Sequence, residues 1–320
     1  MTEAESTRRV TTAARRHAGV ITLLVIAALL VPRAGDGCTN GVYVTARGWL
    51  DELPARATLD DLRARFAAAR VDVVYVYRLE LGSAAAPGPP AAIAATYARN
   101  LSALRAGLGG EVRVVAMIGK RWSPERILAA ARSLWDIGFD GVQIDYEPLA
   151  SGNRTLPEIL ALLGRHKPAG RIVSLATYLL PDPRLRKPAG RADDIRVWSP
   201  EYVAELIALV DDVMVMNYDT NIRDRATYVA VTADQVAAFG RLAAGRPVRL
   251  NIGLITDVPG RSGFFSREAE NVLSGLDGVR AAWPHCAPDR GVTLFTLAGA
   301  AERDWRQLAD WANATSPRDG

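Results

Sequence analysis

The chain has 320 residues, 49% hydrophobic and 23% charged, with a net charge of +4. It is long enough for one large domain or two small ones and too apolar to be a disordered segment. Its basic residues are nearly all arginine, with lysine only at Lys120, Lys167 and Lys187, and past the N-terminus they form no run. A solvated surface accounts for them, and no nucleic-acid partner is expected.

Residues 1–37 read as a targeting segment. Arg8, Arg9, Arg15 and Arg16 precede an apolar run from Gly19 to Val31, followed by Pro32 and small residues near Ala34. The run is shorter than the roughly 20 residues a spanning helix needs. It fits a secretory signal peptide, with an uncleaved membrane anchor as the alternative, so the remainder is expected to be secreted and to meet a membrane only through this segment. The chain has two cysteines, Cys38 and Cys286; outside a reducing cytosol such a pair suggests a disulfide.

From Thr39 onward short apolar strands alternate with helical stretches. The strands read as Gly41 to Ala46, Val71 to Arg78, Val112 to Ile118, Gly138 to Pro148, Arg171 to Tyr178, Asp212 to Tyr218, Val248 to Ile255 and Gly291 to Leu297. Between them lie helices from Asp60 to Ala69, Ala91 to Leu108, Ser123–Pro124 to about Gly138, Thr155 to His166, Glu201 to Val210, Thr232 to Ala244 and onward from about Arg267, with a last helix from Glu302 to Trp311. Serine followed by proline, at 123–124 and 199–200, is a helix-start signal.

Eight such units predict an α/β protein, a single (β/α)8 TIM barrel over 38–316. A doubly wound sheet is the alternative, but no G-x-G-x-x-G loop follows the first strand. From Asp257 to Arg290 there is room for a loop and one helix only, so no α+β insertion domain is expected. In a closed barrel the first and eighth strands are neighbours, which brings Cys38 and Cys286 to one seam and predicts their bond.

The stretch G-F-D-G-V-Q-I-D-Y-E-P, Gly138 to Pro148, carries the chemistry. On a strand Gln143, Asp145 and Glu147 share one face and Val142, Ile144 and Tyr146 the other. Two carboxylates on one face repel, which raises the proton affinity of one of them. Glu147 comes last, where barrel strands open onto the active face, and is the candidate proton donor. A half-exposed edge strand with solvated carboxylates is the competing account.

D-G-V-Q-I-D-Y-E closely resembles the D-G-x-D-x-D-x-E signature of glycoside hydrolase family 18, the chitinase-like enzymes. M-N-Y-D, Met216 to Asp219, resembles the family's M-x-Y-D motif on its sixth strand, which is the sixth strand counted here. The resemblance implies a substrate-assisted, retaining glycosidase in which the substrate's 2-acetamido oxygen attacks the anomeric carbon. Glu147 would protonate the leaving oxygen, Asp145 would orient the acetamido group and Tyr218 would hydrogen-bond its carbonyl. Asp219 would contact the same group or the neighbouring sugar, and Met216 would line the pocket. Asp140, the first acid, would secure the start of the strand.

Three positions depart from the pattern. Gln143 stands for an aspartate and cannot titrate, Met117 to Lys120 (M-I-G-K) replaces S-x-G-G, and Phe295 stands where the family generally has a tryptophan under the sugar. Trp49 and Trp122 are further sugar-stacking candidates, with a core role as the alternative for each. No cofactor is expected and no metal, since His17, His166 and His285 are dispersed. The expected partner is a glycan containing N-acetylglucosamine (chitin, peptidoglycan or an N-glycan core), met by a monomer. A chitinase-like lectin without turnover is the second reading, and retention of Glu147 argues against it.

Overall fold

The computed structural model describes residues 38–185, 197–257, 266–314. Residues 1–37, read above as a targeting segment, therefore lie outside the described residues, as does part of the loop after the fifth strand. Eight parallel strands close into a barrel in sequence order: β1 (Asn40–Thr45), β2 (Val71–Tyr77), β3 (Arg113–Ile118), β4 (Gly141–Ile144), β5 (Ile172–Thr177), β6 (Asp212–Met216), β7 (Arg249–Ile255) and β8 (Arg290–Phe295). Gly41 pairs with Thr293 and Val42 with Leu294 where β8 returns to β1. The helices α1 (Arg56–Ala68), α2 (Ala91–Leu108), α3 (Pro124–Ile137), α4 (Thr155–His166), α5 (Pro200–Ile207), α6 (Arg225–Ala243), α7 (Val272–Ala282) and α8 (Glu302–Ala312) alternate with them. No helix among the described residues is long and apolar enough to cross a membrane.

Strand alternation sorts two cores. Val42, Val44, Val74, Val76, Val114, Ile118, Val142, Ile144, Val213 and Val215 face outward and pack with the helices, which is where most of the apolar burial lies. Tyr43, Val73, Tyr75, Val115, Ala176 and Met214 form a separate cluster inside the barrel. Several other inward positions are polar: Gln143, Ser174, Asp212, Asn251 and Thr293 are fully buried. Barrel interiors are usually packed with branched aliphatic side chains, so this one departs from the rule and must satisfy its polar groups by hydrogen bonding.

Several boundaries differ from the sequence reading. Only Gly141–Ile144 of the stretch from Gly138 to Pro148 is strand. Gly138, at φ 112°, is the left-handed end of α3. Asp140 is a clamp at the base of β4, accepting from the Val114 N–H at 2.8 Å and pairing with Arg105 at 2.5 Å and Arg171 at 3.3 Å. Asp145 and Glu147 thus project from the segment just past β4. Helix α6 starts seven residues before Thr232, because Asp224 caps it by accepting from the Thr227 N–H at 2.7 Å. Helix α7 begins at Val272 rather than near Arg267, capped by Asn271 on the Ser274 N–H. β6 and β8 each stop two residues early, leaving Tyr218 and Leu297 beyond them.

Cys38 and Cys286 are disulfide-bonded with Cα atoms 5.3 Å apart across 248 residues. The bond ties the segment before β1 to the segment before β8, at the seam where the barrel closes.

Candidate active site

The C-terminal ends of the strands form an aromatic floor. Phe295 lies parallel to Tyr218, with centroids 5.1 Å apart and planes at 17°. Tyr43 meets Phe295 edge-on at 5.2 Å and stacks on Tyr75 at 4.9 Å. Tyr77 closes the group, 5.7 Å from Phe295. Room for Tyr218 and Met214 comes from Gly253 on β7. A Cβ built there would stand 2.6 Å from Met214 Sδ and 3.3 Å from Tyr218 Cε1.

The two carboxylates sit beside this floor in unequal surroundings. Glu147 is exposed at the mouth, whereas Asp145 is mostly covered. Asp145 Oδ1 is buried and has no hydrogen-bond partner among the described residues. Burial first, and the charge of Glu147 second, push the Asp145 carboxyl up to about 7. Gly119 lies beside it: a Cβ at Gly119 would touch Asp145 Oδ2 at an ordinary contact distance of 3.9 Å. Asp145 is thus a carboxyl that keeps its proton up to about neutral pH, two residues from one that meets solvent.

Below Asp145 runs a directed chain of hydrogen bonds. The Tyr43 hydroxyl donates to Gln143 Oε1, and Gln143 Nε2 donates to Ser174 Oγ at 3.1 Å. Ser174 Oγ in turn donates to Asp212 Oδ2 at 2.5 Å. Asp212 also accepts from the Tyr75 hydroxyl at 2.6 Å and from Asn251 Nδ2 at 2.9 Å, with Arg249 Nη2 3.3 Å from Oδ1. Arg249 and Arg113 both pair with Asp72 at the foot of the barrel. The acidic end fixes the polarity. Because Ser174 gives its only proton to Asp212, it must accept from the Gln143 amide, which then presents its carbonyl to Tyr43. Tyr43 has no proton left for Asp145, and the second hydrogen of the Gln143 amide makes no bond to Asp145 Oδ1.

A second buried cluster holds the turn after β6. Asp219 and Asn221 adopt left-handed backbone, φ 58° and 57°, a conformation that Asp and Asn tolerate better than most residues. Glu270, almost fully buried, accepts from the Thr220 N–H at 3.2 Å and the Thr220 hydroxyl at 2.7 Å. Burial raises the Glu270 carboxyl to about 7. Asn217 is fastened by Tyr228, whose hydroxyl donates to the Asn217 carbonyl at 2.7 Å, and by Thr232 at 3.0 Å. The Tyr218–Asp219 pair therefore stands on a rigid base.

The residues read from sequence separate into two groups. Asp145, Gln143, Tyr218, Met216 and Phe295 converge on the barrel mouth with Glu147, and Asp219 follows directly on Tyr218. Trp49 and Trp122 pack against the outer core instead, partly buried. Trp122 also carries Lys120, whose Nζ is 6.0 Å from its ring centroid. Sequence reasoning missed Tyr43, Tyr75, Tyr77, Ser174, Asp212, Asn251 and Glu270. The signal available for the strand residues was polar or tyrosine side chains recurring at inward parity in otherwise apolar strands. Among the described residues no group of three or more His, Cys, Asp or Glu is placed to hold a metal ion.

No family model matches the chain, and no curated protein matches it in sequence. Solved structures do resemble it. A chitinase from Chromobacterium violaceum shares 16% identity at a TM-score of 0.53, over 87% of this chain and all of that one. The spore cortex-lytic enzyme SleL of Bacillus megaterium has 11% identity and a TM-score of 0.55, over 89% and 76%. A family 18 chitinase from Cycas revoluta, solved with a tetramer of N-acetylglucosamine, has 13% identity and a TM-score of 0.52, over 85% and 98%. Enolase-type barrels also match, at TM-scores of 0.48 and 0.45. At such identities the likeness shows the fold alone, a barrel like that of family 18 chitinases.

Proposed function

We propose that the protein is a secreted, monomeric glycoside hydrolase that cleaves β-linked N-acetylglucosamine glycans by substrate-assisted, retaining catalysis. The observation that carries this reading is Asp145, a mostly covered carboxyl whose buried Oδ1 has no hydrogen-bond partner among the described residues, beside the exposed Glu147. A general acid must reach the glycosidic oxygen from solvent, and an acetamido-orienting group must sit deeper, so the two environments suit the two roles.

In the first step Glu147 gives its proton to the leaving oxygen as the acetamido carbonyl oxygen attacks the anomeric carbon, and the glycosidic bond breaks. Asp145 accepts the acetamido N–H, and the Tyr218 hydroxyl donates to the acetamido oxygen, which holds the nucleophile in place. The reacting sugar lies over Phe295. In the second step the Glu147 carboxylate takes a proton from water, which opens the oxazolinium ring with net retention. Asp219, next to Tyr218 on the turn that Glu270 braces, positions the same end of the sugar.

Incubation of the purified barrel with chitin, peptidoglycan and N-glycan substrates, read by mass spectrometry beside Glu147→Gln, tests this. New reducing ends from the wild type alone support it. Glycan binding without turnover by both proteins would leave the lectin reading, which Gln143 favours because it removes one titrating group from the motif.

A further inference from the structure

Three neighbouring strands of the barrel lead into cations at the mouth. Arg47 follows β1 by two residues, Arg78 follows β2 directly, and Lys120 and Arg121 follow β3 by two and three. Register keeps them on one arc, since Thr45 pairs with Tyr77 and Val76 with Ala116. All four are exposed. None of them makes an ion pair with a carboxylate among the described residues.

Two of these cations are seated on aromatic rings, one of which belongs to the aromatic floor. The Arg78 guanidinium lies 5.6 Å from the centroid of Tyr77, which packs against Phe295. Lys120 lies over Trp122, and its neighbour Gly119 lies beside Asp145. A cation held over a ring keeps outward N–H donors for an anion, and guanidinium suits a carboxylate in particular. Like charges with no carboxylate partner among the described residues repel one another, and a bound anion relieves that repulsion. A neutral polymer of N-acetylglucosamine offers these groups nothing of matching charge.

We propose that this arc is a subsite for substrate carboxylates, and that the preferred substrate is an anionic glycan in which N-acetylglucosamine alternates with a carboxylate-bearing sugar. The proposal rests on the hydrolase reading above for the placement of the glycan. The carboxylate comes from a lactyl ether or from a uronic acid, and the arc recognises the charge common to both.

The test is calorimetric binding of three tetrasaccharides to Glu147→Gln, which is designed to bind without cleaving. One is β-1,4-linked N-acetylglucosamine, the second alternates it with its 3-O-lactyl ether, and the third alternates it with glucuronate. At least one anionic tetrasaccharide should bind about tenfold or more tightly than the neutral one, the scale of a hydrogen bond to a charged group. That preference should collapse near 1 M salt, where the Debye length is about 3 Å. Adding Arg78→Gln and Lys120→Gln should lower the preference about tenfold, and which anionic arm suffers tells where the carboxylate sits. Equal binding of the neutral tetrasaccharide, no binding of any, or a preference that survives the double substitution would overturn the proposal. The hydrolase reading is judged separately, by whether the wild type releases reducing ends from any of the three.

Discussion

Tyr43 and Gln143, 100 residues apart in sequence, meet inside the barrel, and the tyrosine gives its proton to the glutamine carbonyl. That bond has a direction imposed from below: Asp212 takes the Ser174 proton, Ser174 takes the Gln143 amide, and Gln143 takes Tyr43. The result is a polarised column that makes no hydrogen bond to Asp145 Oδ1. A buried carboxylate without donors holds its proton, so the column and burial act in the same sense on Asp145. Gln143 joins Tyr43 to Ser174 without adding a charge to the column.

Ser174→Ala should show this control. Without its acceptor the Gln143 amide is free to turn and donate to Asp145, which lowers that group's proton affinity. The upper limb of the kcat/KM profile, near pH 7 in the wild type if Asp145 must be protonated, should move to lower pH. An unshifted limb would mean that the column does not act on Asp145.

Stability should depend on pH through Asp145 and Glu270, both raised to about 7 by burial. Folded carboxyls with raised values bind protons that the unfolded chain has released. Their contribution is complete below about pH 4 and is lost as pH rises through about 7. Denaturant midpoints should therefore fall between pH 5 and pH 8 by a margin that Glu270→Gln reduces. A variant curve parallel to that of the wild type would contradict the assignment to Glu270.

Gly253→Ala should disturb the floor. Its Cβ would meet Met214 Sδ at 2.6 Å and the Val215 carbonyl at 2.9 Å. Overpacking of this kind costs about 1–3 kcal/mol, and Tyr218 must move to relieve it. The expected outcome is a lower denaturation midpoint together with a fall in kcat exceeding any change in KM.

Much of the barrel was legible because its strands are apolar runs that alternate with helical stretches. The Cys38–Cys286 bond followed from closure alone, since only a closed barrel makes β1 and β8 neighbours. The inner polar column was not legible. Ser174, Asp212 and Asn251 each stand singly in an apolar strand, and their partners lie 38 and 39 residues away. Only strand register brings them together. Glu270 lies in a loop with no local pattern, and its partner Thr220 is 50 residues distant. The start of α6 was obscured by T-Y-V-A-V-T, a β-prone run that the Asp224 cap and tertiary packing turn into helix.

Cys286→Ser should destabilise the barrel by up to about 5 kcal/mol, the chain-entropy value for so long a loop, less any strain relieved. Thiol labelling of unreduced, denatured wild type should modify neither cysteine. Labelling of both would contradict the bond.

A thiazoline analogue of the oxazolinium intermediate should inhibit more strongly than N-acetylglucosamine itself, because Asp145 and Tyr218 would hold the cyclised acetamido group. Substrates that lack the 2-acetamido group should not turn over. Cleavage of plain glucans would indicate a nucleophile supplied by the protein.

The central claim is that Glu147 is the acid of a retaining, substrate-assisted cleavage. It is tested most directly by proton NMR of the first product formed from an N-acetylglucosamine-containing oligosaccharide, recorded before mutarotation, for the wild type and Glu147→Gln. A β-anomeric reducing end is expected from the wild type, with a rate at least about 10²-fold lower in the variant. An α-anomeric first product, or equal rates for the two proteins, would contradict it.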